Sequence, residues 1–68
     1  MKVKDFTKHM NDCGTKPRIT VYKYTDNDMM LRVYEGRPGN MDEEVGKLKL
    51  NTFTVLGKGF VEIFAQQV

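Results

Sequence analysis

Two stretches decide the fold: Arg18-Ile-Thr-Val-Tyr-Lys-Tyr24 and Met30-Leu-Arg-Val-Tyr34. Each alternates with a period of two, the side-chain repeat of a β-strand. Between them, Thr25-Asp26-Asn27-Asp28 is dense in residues that tolerate left-handed backbone, so the pair reads as a hairpin. Alternation places Ile19, Val21, Leu31 and Val33 on one face, and Tyr22, Tyr24, Met30, Arg32 and Tyr34 on the other. The register that keeps the faces separate sets Tyr24 opposite Met30, Tyr22 opposite Arg32 and Thr20 opposite Tyr34. One face must line the core. The other is rich in tyrosine, methionine and arginine, the residue types of a binding surface.

Working outward, Val3, Phe6, Met10 and Cys13 recur at spacings of three and four, one stripe of an α-helix. Gly14 stops this helix and Pro17 prevents its continuation, which predicts a helix over residues 3–12. Ten residues are too few to stay helical alone, so the helix must dock on the sheet. After the hairpin, Gly36-Arg-Pro-Gly-Asn40 is a loop by composition. Asn40 and Glu43 have capping-box spacing, Asp42, Glu43 and Glu44 suit a helix start, and Gly46 keeps the helix short. Residues 41–46 therefore read as a helical turn with Met41, Val45 and Leu48 on one side.

The remainder reads as a second hairpin. Phe53 and Val55 alternate with Thr52 and Thr54, and Val61, Ile63 and Ala65 with Glu62 and Gln66, around the glycines of Leu56-Gly57-Lys58-Gly59-Phe60. Leu48 and Leu50 are out of phase with Phe53 and Val55, which predicts a bulge at Asn51 or a strand that starts after it. The expected fold is α+β, in the order α-β-β-α-β-β: a short N-terminal helix packed on a small antiparallel sheet of two hairpins. A partly closed barrel is the alternative.

Sixty-eight residues make one domain, spanning 1–68, and bury only about 60% of the unfolded surface. A hydrophobic fraction of 40% with 29% charged residues fits a folded chain, not a disordered tail. The formal net charge of +2 is spread along the sequence, and phosphate affinity needs clustered cations. Cys13 is the only cysteine, so no intramolecular disulfide forms, as suits a reducing cytoplasm. No apolar run approaches the roughly 18 residues of a membrane span. None follows the basic flank Met1-Lys2-Val3-Lys4 either, so no signal peptide is expected.

Candidate chemistry is sparse. His9 and Cys13 stand four apart on the first helix, with Asp5 and Asp12 nearby, but two nitrogen or sulfur ligands do not make a metal site. A catalytic cysteine needs partial exposure, a base and an oxyanion hole, and Cys13 lies on the apolar stripe. Asp26-Asn27-Asp28 lacks the glycine and distal glutamate of a calcium loop. Gly57-Lys58-Gly59 lacks the Ser/Thr and following helix of a phosphate loop. No enzyme activity, metal or cofactor is expected. The candidate site is the face of Tyr22, Tyr24, Met30, Arg32 and Tyr34, with Arg37 at the neighbouring loop. Three readings compete for it: packing within the domain, a protein contact, or base stacking with Arg18, Lys16 and Lys23 along the backbone. Base stacking is the weaker, because Lys23 points away from Tyr22 and Tyr24.

The layout Met1-Lys2-Val3-Lys4-Asp5-Phe6, with Asn11-Asp12 closing the helix, then Ile19-Thr-Val21, Val33-Tyr-Glu-Gly36 and a closing apolar strand, resembles a known group. These are the small, mostly uncharacterised proteins encoded in prophages and mobile elements of Gram-positive bacteria. The resemblance covers most of the chain as a pattern of short segments and carries over no functional residue. It implies an accessory protein of the bacterial cytoplasm that binds a host protein, such as a defence nuclease. A nucleic-acid-binding accessory domain and a homodimer built on the Tyr/Arg face are the alternatives. No membrane partner is expected.

Overall fold

A computed structural model of the chain describes residues 1–12, 17–57 and 59–67. The elements are helix α1 (Val3–Asp12), strands β1 (Arg18–Tyr24) and β2 (Met30–Gly36), a 3-10 turn (Pro38–Asn40), helix α2 (Glu43–Gly46), and strands β3 (Lys49–Val55) and β4 (Phe60–Gln66). The expected order is met loosely, since α2 is a single turn preceded by the 3-10 turn. Helix α1 has the expected bounds. Cys13, Gly14, Lys16 and Lys58, which carried parts of the sequence reading, lie outside the described residues.

The two hairpins form one open four-stranded sheet in the order β2-β1-β4-β3. Both hairpins are antiparallel, but β1 and β4 meet in parallel, with Ile19 opposite Val61, Val21 opposite Ile63 and Lys23 opposite Ala65. The sheet is therefore mixed, not antiparallel, and not closed into a barrel. Hairpin signals are local, whereas the pairing of one hairpin with another is chosen by the surfaces they bury. Here both central strands carry a continuous apolar row, and laying the rows side by side in parallel concentrates them at the sheet centre.

That row is the core. Val3, Ile19, Val21, Val45, Leu48, Val61, Ile63 and Ala65 are buried, with Phe6, Met10, Val33, Tyr34, Met41 and Leu50 packed against them. Helix α1 covers the row, and the Phe6 ring lies 4.7 Å from that of Phe53. The stripe extends to Thr7, buried at 3% exposure, whose hydroxyl donates to the Lys4 carbonyl at 3.1 Å. Gly46 lets α2 approach α1, since a Cβ there would stand 3.1 Å from Lys4 Cβ. The capping box is not formed. Asn40 belongs to the 3-10 turn, and Asp42 is the residue that precedes α2, without a side-chain capping bond.

Both hairpin turns follow their chemistry. Thr25 Oγ1 accepts from the Asn27 and Met29 amides at 3.4 and 3.3 Å, and Asp28 takes the left-handed φ of 59°. In the second, Gly57 and Gly59 have φ of 82° and 84°, while Leu56 N–H donates to Phe60 O at 2.9 Å. The phase conflict in β3 is resolved by the bulge: the register shifts between Leu50 and Thr52. Its edge is tied down by Met1 O, which accepts from Leu50 N–H at 2.8 Å, and by Val3 N–H donating to Leu48 O at 2.9 Å.

Ile63 is wholly buried on the central pair. Replacing it with alanine leaves a cavity that a two-layer domain cannot close. Ile63→Ala is expected to lower unfolding stability by about 2–5 kcal/mol, measured by urea denaturation.

Candidate functional site

Because the apolar row and both helices lie on one side, the opposite face of the sheet is left open. Its central residues are Thr20, Tyr22 and Tyr24 of β1, in register with Glu62, Phe64 and Gln66 of β4. None of these six is buried. Tyr22 and Phe64 stack across the parallel pair with centroids 5.5 Å apart and planes 14° apart, and the Tyr22 hydroxyl donates to a Glu62 carboxylate oxygen at 3.4 Å. An antiparallel neighbour places Arg32 beside Tyr22 and Met30 beside Tyr24. Tyr24 is 39% exposed and Met30 47%. On the far side, Thr52 and Thr54 continue the face opposite Phe64 and Glu62.

Tyr34 does not belong to this surface. The β1–β2 register shifts between Val21 and Tyr22, so Tyr34 stands opposite Val21, not Thr20. Its ring packs against the core, and its hydroxyl donates to the Arg37 carbonyl. Period-two reading cannot see a bulge of this kind, because Val33 and Tyr34 are both apolar enough to face inward. The same bulge puts Gly36 against the tyrosine. With φ of 153°, Gly36 leaves room that a Cβ would fill to within 2.9 Å of the Tyr34 hydroxyl. Arg37 lies between β2 and the 3-10 turn, exposed, at the end of β2 remote from Tyr24 and Met30.

The electrostatics of the open face are close to balanced. Arg18, Arg32 and Lys49 share it with Glu35 and Glu62: alternation along β1 places Arg18, and the register partners Tyr22, Gln66, Thr20 and Thr54 place the others. A polar recess at one end, lined by Tyr24, Thr25, Asp26, Asp28, Asn51, Gln66 and Gln67, adds two carboxylates. Asn51 Nδ2 donates to Gln66 Oε1 there at 3.3 Å.

A second surface escaped the sequence reading. Between α1 and the second hairpin lies an apolar cleft of about 360 Å³, lined by Phe6, Met10, Phe53, Val55 and Phe60 among others. Phe53, Val55, Leu56 and Phe60 are 46%, 64%, 57% and 52% exposed. The signal was present as a run of large apolar residues on an edge hairpin, more than the core could absorb. Among the described residues, no three His, Cys, Asp or Glu side chains gather to hold a metal ion. Within the same residues, no helix is long and apolar enough to cross a membrane. No family model, curated protein or solved structure matches the chain.

The two tyrosines at the hairpin's ends are expected to respond differently. Tyr34→Ala removes a half-buried ring packed on the core and should lower stability by about 1–3 kcal/mol. Tyr24→Ala removes an exposed one and should stay within about 0.5 kcal/mol of wild type. Paired urea denaturation curves measure the contrast.

Proposed function

We propose that this chain is a non-enzymatic protein-binding module that uses the open sheet face. The observation that carries the reading is an aromatic, methionine- and arginine-bearing surface on a sheet whose other side holds the whole core. Tyr22 and Phe64 form its rigid centre, and the exposed Tyr24, Met30 and Arg32 flank them. Rigid aromatic anchors lose little conformational entropy on binding, and arginine and tyrosine dominate the energetics of protein interfaces. With its arginines and lysine nearly balanced by carboxylates, the face attracts neither phosphates nor acidic surfaces in bulk. It suits a partner of mixed polarity. The resemblance to proteins of mobile elements makes a host protein, such as a defence nuclease, the class of partner, bound in the bacterial cytoplasm and blocked by occlusion.

The second reading is single-stranded nucleic acid, favoured by the position of Tyr22 and Phe64 on the two central strands, where stacked bases would lie flat. Its weakness is the same charge balance, since backbone tracking needs a positive groove.

The test is capture of a partner from nuclease-treated host lysate with wild-type protein and with Tyr24→Ala and Arg32→Ala in parallel. Each substitution is expected to weaken a real complex by about 1–2 kcal/mol, with little change in the fold. A band retained equally by all three proteins removes the open face from the interface. Affinity for single-stranded DNA or RNA that collapses between low and moderate salt transfers the face to the nucleic-acid reading.

A further inference from the structure

The two edges of the sheet differ. On β2, the bulge at Val33 and the charges of Arg32 and Glu35 interrupt a second strand's approach, the usual protection of a natural edge. On β3, protection stops halfway. Met1 and Lys2 lie along it only as far as Leu50, through the Met1 O bond to Leu50 N–H and the Lys2–Lys49 bridge. Beyond them, Asn51-Thr-Phe-Thr-Val55 carries no charge and no proline, and every residue in it is exposed.

The backbone polarity of this segment follows from the bulge. Leu50 N–H points outward, to Met1 O, and Leu56 N–H points inward, to Phe60 O. Both positions are even, so the register shift between Leu50 and Thr52 has inverted the alternation. After the shift, the amides of Thr54 and Leu56 face β4, and those of Phe53 and Val55 face solvent. Their side chains lie on the helix side, opposite Ile63 and Val61, and both are largely exposed, as is Leu56.

We infer that the β3 edge is a self-association surface, on which a second copy of this chain pairs antiparallel about a two-fold axis at Thr54. This register sets Phe53 opposite Val55 of the second copy and the reverse. The outward N–H and C=O groups of both residues then bond across the axis, and Thr54 faces Thr54. Two aromatic–β-branched cross-strand pairs form on the helix side, where they cover the exposed apolar cluster. The second copy is the occupant because the edge is self-complementary in charge. No charged residue lies between Leu50 and Gly57, and Lys49 falls opposite Gly59, so no lysine meets a lysine at any paired position. Met1 also fits the arrangement, since the partner's strand has reached its turn before it meets the bridge at Leu50. The pairing groups are the outward backbone of Phe53 and Val55, away from Tyr22, Tyr24, Met30 and Arg32 at the other end of the sheet order, and the inference stands without the protein-binding reading.

The test is sedimentation equilibrium of the full chain over a wide concentration range, with four proteins. Wild type is expected to shift from monomer to dimer. Val55→Pro removes an outward amide while sparing the bonds to β4, and should raise the dimer dissociation constant by roughly tenfold or more. Thr54→Lys and Thr54→Glu place like charges side by side at the axis and should each favour monomer. An equimolar mixture of the two should restore the dimer, a rescue that only this axis produces. A chain that stays monomeric throughout overturns the inference. So does a dimer indifferent to all three substitutions, or two Thr54 variants that fail to rescue each other. Circular dichroism of each variant separates lost pairing from lost fold.

Discussion

The parallel pairing of β1 with β4 is the contact on which the rest of the molecule depends. Each hairpin alone would be a two-stranded ribbon, marginal in water. Joined in parallel, they bring Ile19 and Val21 against Val61, Ile63 and Ala65, a patch broad enough for α1 and the α2 segment to cover. The helices then have one side to occupy. An open face on the other side is the consequence of a chain whose helices suffice for only one covering layer.

Two β-bulges refine that plan in opposite directions. The one opposite Val21 and Tyr22 turns Tyr34 toward the core, where its ring packs beside Gly36 and its hydroxyl donates to the Arg37 carbonyl. It thereby trims the aromatic face to Tyr22, Tyr24 and Phe64. The one at Asn51 lets Leu50 and Phe53 both face the helix although they are an odd number of positions, three, apart. It also inverts the backbone polarity of the β3 edge, so that the amides of Phe53 and Val55 face away from β4. An extra residue in a strand thus sets which side chains a surface offers and which amides an edge presents.

The chain consequently has two apolar surfaces of different character. The open face is flat, aromatic at its centre and bordered by both signs of charge. The β3 edge beyond Leu50 carries no charge and adjoins a largely apolar cleft, with the backbone groups of Phe53 and Val55 facing outward. Surfaces of the first kind discriminate partners through side chains; edges of the second kind recognise backbone and tolerate less sequence discrimination. In the proposed dimer, a domain with both would present its open face twice.

By itself the sequence determined much that is local: the Val3–Asp12 helix, both hairpins, their turns, an irregularity at Asn51, and the sharing of one face by Tyr22, Tyr24, Met30 and Arg32, but not the start of α2 or the bulge at Val33. These are legible because period, turn chemistry and phase conflicts arise between residues a few positions apart. Phe64 was absent from the sequence reading because its neighbour Tyr22 is forty-two positions away and meets it only across the parallel pair. Only the tertiary structure decided that pairing, the open rather than closed sheet, the inward turn of Tyr34 and the half-covered β3 edge. Each depends on which of several compatible apolar surfaces bury one another, and that choice is made by the total area removed from water, a sum no single stretch of sequence contains.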